Sequence, residues 1–226
     1  MWRGVVVVLL VLAVLLAALG LWFPRALARR RLAAIIDAGD VKALLRVWHR
    51  SAGRMAEPET ALPLLVATAY VSFGWVDDAR RARAYLPAGA ELGPSREQLE
   101  FVDVLLEVYE GDRHEAVRRA EALVARAAPE GGGAFVRRVR SLRRGLLAIA
   151  RAFAHEASAE DAAALVAMRA PVPILTWPLR YAEAIVAIDR GDEARAAALL
   201  RLAPRWPEHS VFHTFHRELA AIVRAA

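Results

Sequence analysis

Three histidines near the C-terminus are the residues best placed to do chemistry. His209, His213 and His216 recur at spacings of four and three, so a helix over residues 208–225 would carry all three imidazoles on one face. Imidazoles at i and i+4 can share a divalent metal, with a third at i+7 close by. Three ligands on one straight helix cannot close tetrahedrally on one ion, so a metal site would need an acid or a partner chain to complete it. A pH-sensitive stripe and an incidental surface stripe are the alternatives. The core side of that helix is expected at Phe212, Phe215, Leu219, Ile222 and Val223.

Two charged stripes come next. Glu100, Asp103, Glu107 and Glu110 share one face of a helix over 95–110, and Arg137, Arg140 and Arg144 share one face of a helix over 134–155. The two helices are expected to be neighbours. Their stripes would then complement one another, or be simply two solvated faces, or else form a charged groove wall that recognises a partner's tail and sets its on-rate and selectivity.

Other chemistry is absent from the sequence. There is no cysteine, which excludes disulfides, thiolate metal sites and cysteine nucleophiles. Gly131-Gly132-Gly133 is followed by Ala134 and Phe135, without the Lys-Ser/Thr of a phosphate-cradling loop. No nucleophile elbow or dinucleotide fingerprint occurs. The expectation is a non-enzyme with no cofactor and no small-molecule substrate.

The formal charge of +6 is uneven. Arg3, Arg25, Arg29, Arg30 and Arg31 precede every acidic residue, and beyond them 26 basic residues face 25 acidic ones. A balanced domain lacks the electrostatic footprint of a nucleic-acid binder. Lys42 is the sole lysine; together with the Ala, Gly and Pro content this suggests GC-rich, bacterial coding.

The elements that must position these residues begin with residues 4–23, which carry no charge and are mostly Val and Leu. Twenty residues make roughly 30 Å of helix, the thickness of a bilayer's hydrocarbon core, and their summed transfer favours insertion by about 4–8 kcal/mol. Trp2 and Trp22 bracket the run as interfacial indoles, and Arg25, Arg29, Arg30 and Arg31 form a basic collar. One arginine before the span and four after it place the following domain in the cytoplasm, on a bacterial inner membrane. The alternatives are a periplasmic domain on an uncleaved anchor, and a signal peptide cut near Ala26-Leu27-Ala28.

The rest reads as helix, turn, helix, with no period-2 alternation, and so as an all-α chain. Helices are expected at 26–38, 41–52, 59–73, 76–86, 95–110, 113–128, 134–155, 160–169, 175–190, 193–203 and 208–225. Gly39-Asp40, Gly74, Gly111-Asp112 and Gly191-Asp192 sit between short helices at spacings of 35, 37 and 80 residues, the last spacing covering two units with a degenerate turn near His155–Ser158. Gly can close the first helix in the left-handed region and Asp can cap the second. Ser95-Arg-Glu-Gln98 and Ser158-Ala-Glu-Asp161 resemble capping boxes. Ala79, Ala116 and Ala196, each five after its Gly, would let paired helices approach closely. Trp48, Trp75, Trp177 and Trp206 are expected in the core or stapling hairpins.

This period and chemistry resemble the tetratricopeptide repeat family. The best match runs from Ala69 to Pro87 and carries Tyr70, Gly74 and Ala79; Glu107 to Pro129 and Ile188 to Pro204 are weaker copies. The Trp and Leu typical of the family's first helix are mostly missing, and the 134–169 unit is irregular. The resemblance implies a superhelical stack of hairpins whose surface holds a protein or peptide, capped by the last helix. The chain thus divides into an anchor (1–24), a basic juxtamembrane segment with the first helix (25–38) and a tetratricopeptide-like domain (39–226). The expected function is a membrane-anchored interaction scaffold. An accessory subunit held by its span within a larger membrane complex is one alternative, and a metal-binding protein using the histidine stripe is another.

Overall fold

The structure, a computed structural model, describes residues 27–51, 58–86, 95–127, 132–168 and 172–225. The expected span, with Trp2, Trp22 and Arg25, lies outside them. No described helix is long and apolar enough to cross a membrane.

The described residues are all-α, without strands. Residues 27–37 form α1. There follow α2 (Val41–Ser51), α3 (Pro58–Ser72), α4 (Val76–Ala84), α5 (Ser95–Glu110), α6 (Arg113–Ala125), α7 (Gly133–Phe153) and α8 (Ala159–Met168). A 3-10 turn at Pro173–Leu175 leads into α9 (Thr176–Asp189), α10 (Glu193–Leu200) and α11 (Val211–Ala225).

The turns are built as their residue types require. Gly39, Gly74, Gly111 and Gly191 all have positive φ, and His155 takes the same conformation (φ 60°) at the degenerate turn. The Oδ1 atoms of Asp40, Asp112 and Asp192 accept from the backbone N–H three residues on, at 2.8–3.1 Å, filling orphan donors of the next helix. Ser158 and Asp161 form the reciprocal capping box. Gln98 does not: its side chain donates to Thr68 Oγ1 on α3 at 2.8 Å, so it ties two helices together instead.

Consecutive helices pair as α3–α4, α5–α6, α7–α8 and α9–α10. The first members α3, α5, α7 and α9 also pack on one another in chain order, and each second helix touches the next first helix. Ala79, Ala116 and Ala196 are fully buried within their hairpins, so small side chains do set the close approach.

The last segment departs from the expected cap. Residues 204–210 carry the chain back to the first hairpins. Val211 N–H donates to Gly74 O at 2.8 Å, and Ser210 Oγ donates to Phe73 O at 2.9 Å. Phe212 stacks on Tyr181 of α9 and meets Tyr109 of α5 edge-on, while Phe215 packs on Phe153 of α7. Thus α11 packs on α9 and α10 and also reaches back across α7 and α5 to the α3–α4 turn. Leu219 is buried, but Ile222 is half exposed, contrary to its expected core position, because the aromatic contacts end about two turns into the helix. At the other end of the chain, Trp177 Nε1 donates to Ile36 O at 2.7 Å, and Trp206 lies against Gly39.

Gly74 and Gly191 separate two costs of losing glycine. Both have φ near +70°, but a Cβ on Gly191 meets nothing, whereas one on Gly74 would come within 2.9 Å of Ser210 Oγ and 3.0 Å of Phe212. Gly191→Ala should cost about 1–2 kcal/mol from the left-handed backbone alone. Gly74→Ala should cost clearly more, because it also displaces the returning segment. Urea unfolding of the detergent-solubilised chain measures both.

A candidate anion-binding cleft

The arginine stripe lies on the first half of α7, and the reason it is open begins with Gly145. A Cβ there would sit 2.6 Å from Met168 Cγ, so this glycine lets the end of α8 close onto α7. Helix α8 stops at Met168. Ser141 Oγ donates to Met168 Sδ at 3.3 Å, and the eight residues of α7 before Ser141, about 12 Å of helix, run on beyond that contact. Between this overhang and the ends of α6 and α8 lies a cleft of about 880 Å³. Arg137, Arg140 and Arg144 line it with Arg126, Arg143 and Ser141; Val124, Ala164 and Met168 give it an apolar side.

The five arginines divide into two groups. Arg143 is 4% exposed. Its Nε donates to Glu97 Oε2 at 3.0 Å and its Nη2 to Glu97 Oε1, a two-point grip on α5. Its Nη1 donates to the carbonyls of Arg126 and Ala127 at 2.7 and 3.2 Å, closing the C-terminal end of α6. The Arg143 guanidinium holds the Glu97 carboxyl below the usual carboxylate range, against the opposing effect of burial. Arg126 Nη2 donates to Glu100 at 3.1 Å, while its Nη1 is buried without an acceptor among the described residues. These two arginines are neutralised parts of the frame. Arg137, Arg140 and Arg144 are exposed and make no ion pair among the described residues. They leave roughly three positive charges facing the cleft, and no acidic residue lines it.

The expected pairing of the acidic and basic stripes is therefore overturned. Helices α5 and α7 are neighbours, but the four acids of the stripe are taken by arginines of α4 and of α6 and its C-terminal end. Asp103 accepts from Arg83 at 3.0 Å, and Glu110 pairs with Arg80. Glu107 meets Arg119 at 3.7 Å, and Glu100 meets Arg126. The acidic half of the proposed recognition surface is thus internal bracing between hairpins, and the basic half is the free surface. Arg126 and Arg143 were not expected at the site. Arg143 lies off the 137/140/144 face, and only the α5–α7 packing gives it a partner.

The histidine stripe does not assemble. Helix α11 begins at Val211, so His209 lies in the preceding turn, edge-on to Trp75 with ring centroids 4.2 Å apart. His213 Nδ1 lies 3.2 Å from Trp206 O, and His216 Nδ1 lies 3.4 Å from the Tyr181 hydroxyl. Burial, helped by His213 and Arg224, pushes His216 below its ordinary value. Among the described residues, no group of three His, Asp or Glu side chains is placed to hold a metal. Trp177 and Trp206 are core residues, as expected. Arg29, Arg30 and Arg31 are exposed on α1.

No protein-family model matches the chain, and neither a curated protein nor a solved structure matches it.

Arg143→Met should cost about 3–5 kcal/mol, since it strands Glu97 and the α6 carbonyls. The Glu97 folded-state pKa lies below its unfolded value, so the pair's contribution is fully present above the ordinary glutamate value of about 4.3 and is lost as pH falls through the lower folded value. Urea midpoints measured against pH should show this acid loss in the wild-type chain and a weaker one in Glu97→Gln.

Proposed function

We propose that the protein is a membrane-anchored scaffold that holds an acidic segment of a partner protein in the arginine cleft. The observation that carries this reading is the set of three unpaired arginines on an overhanging helix, beside an apolar wall. Such a surface suits an extended chain bearing carboxylates and one small apolar side chain. The two paired arginines, Arg126 and Arg143, fix the walls, so the free ones are presented on a rigid element and less side-chain and backbone freedom is lost on binding. Charge of one sign in a cleft speeds encounter with an acidic partner and discriminates against basic ones.

Three features support a tetratricopeptide-like stack as the architecture: the repeated Gly-Asp turn, the row of first helices and the buried small residues. The returning α11 is a departure from that pattern, since it covers the C-terminal ends of the α3, α5 and α7 helices. The anchor reading rests on residues 4–23, and the collar charge favours a cytoplasmic domain at a bacterial inner membrane.

The test uses the full chain in detergent and an acidic glutamate-rich peptide carrying a fluorophore. Binding should weaken with added salt, and it should fall at least about tenfold when Arg137, Arg140 and Arg144 are all changed to Gln. Unchanged binding in that triple variant would end this reading. Replacing residues 4–23 by an unrelated span separates it from an accessory subunit held by its span: a scaffold keeps its partner after the swap, and such a subunit loses it.

A further inference from the structure

A second cavity lies on another side of the same half-helix. Arg138 and Leu142 are one and five residues past Arg137, which rotates them roughly 125–165° away from the centre of the arginine stripe. They line a groove of about 320 Å³ whose other walls are Leu32 and Ile36 of α1, Leu44 and Trp48 of α2, and the 3-10 turn at Pro173 and Ile174. Arg138 is the charged residue among these lining residues, and it makes no ion pair among the described residues. Phe135, three before Arg138 and seven before Leu142, shares their face and is 40% exposed. An apolar groove that opens onto an exposed phenyl ring is a surface built to be covered.

The position of the groove says what covers it. Leu32 is five residues, about 7.5 Å of helix, from Leu27, itself 40% exposed. Beyond Leu27 the chain leads through the collar into the uncharged residues 4–23. If that run spans the bilayer, the groove sits at the membrane surface, within reach of the phospholipids around the anchor. Arg29, three residues before Leu32, shares its face of α1 and is exposed, as is Arg138. Trp48 is partly buried in its wall, with the mixed apolar and polar character that suits a headgroup boundary. Apolar walls beneath a positively charged rim match the two ends of an anionic phospholipid.

We infer that this groove is a binding site for an anionic phospholipid. An acyl chain lies along Leu32, Trp48 and Leu142, and Arg138 with Arg29 holds the phosphate. The site fixes the orientation of the domain on the bilayer, so that the arginine cleft on the neighbouring side of α7 stays open to a partner. The inference rests on the reading of residues 4–23 as a span, and it is independent of what the arginine cleft holds.

The chain has no cysteine, so a benzophenone label on the Phe135→Cys variant reports from one place. The full-length variant is reconstituted into nanodiscs of phosphatidylcholine with and without phosphatidylglycerol, irradiated, and its adducts are identified by mass spectrometry. The expected product is a phospholipid adduct, enriched in the phosphatidylglycerol discs. It should fall roughly tenfold when Arg138→Glu is added, since this removes one attraction and introduces a repulsion. The exposed Arg201→Glu should leave it unchanged. Helical circular dichroism of each variant confirms the fold. Adducts to residues 4–23, to a second copy or to another protein would overturn the lipid assignment, and so would a yield indifferent to phosphatidylglycerol or to Arg138. Alkaline carbonate extraction of native membranes runs in parallel. Release of the chain there would overturn the anchor and the lipid site together, whereas retention with a protein adduct would overturn the lipid site alone.

Discussion

The fold depends on the return of residues 204–212 to the first hairpins. Helical hairpins stacked in order contact only their neighbours, so each adds stability locally. Here the returning segment ties α3, α5, α7 and α9 together through one aromatic cluster. Phe212 touches Tyr109, Tyr181 and Trp206, and each well-placed ring pair adds about 0.5–1.5 kcal/mol beyond its buried area. Two polar groups are satisfied along the way: Trp206 Nε1 donates to the Tyr181 hydroxyl at 2.8 Å, and Ser210 donates to Phe73 O; the buried Tyr109 hydroxyl has no partner among the described residues. The glycines at 39 and 74 leave room for this segment to sit against the turns. The same clasp scatters the histidines, because each imidazole is drawn to a different aromatic or backbone neighbour.

With α11 over the C-terminal ends of the first helices, the basic cleft and the apolar groove lie at the other end of α7. That helix is longer than its neighbours, and its first half is a ridge with a basic cleft on one side and an apolar groove on the other. Arg143 makes the ridge rigid. A buried guanidinium unpaired would be costly, but this one meets a carboxylate from α5 and two carbonyls at the end of α6. The grip joins three helices at the root of the overhang. It also explains why five arginines can share one cleft without gross repulsion, since two of them are already paired with Glu97 and Glu100.

Much of the local architecture was legible in the residues. Gly39, Gly74, Gly111 and Gly191 marked turns because a left-handed residue is needed there and glycine adopts it without strain. Asp40, Asp112 and Asp192 marked helix starts because a short carboxylate reaches the third N–H. The helix over 208–225 was read three residues too long, because periodicity cannot register that Ser210 is recruited by Phe73. The acidic stripe of α5 was read correctly as one face and given the wrong partners. Charge periodicity fixes which residues share a face, and it carries no information about which neighbour turns toward that face.

The sequence by itself determined the all-helical class, the positions of the turns, the small residues at the hairpin contacts and the face that three arginines share. Each depends on interactions within one or two helical turns, where backbone dihedrals and capping groups decide the outcome. The tertiary structure alone decided the return of α11, the burial of Arg143 against Glu97, the dispersal of the imidazoles and the two grooves flanking α7. These join residues far apart in the chain, such as Gly74 with Phe212 and Ile36 with Trp177. Their pairing is set by which packing of whole helices buries the most apolar surface while leaving the fewest polar groups unmet.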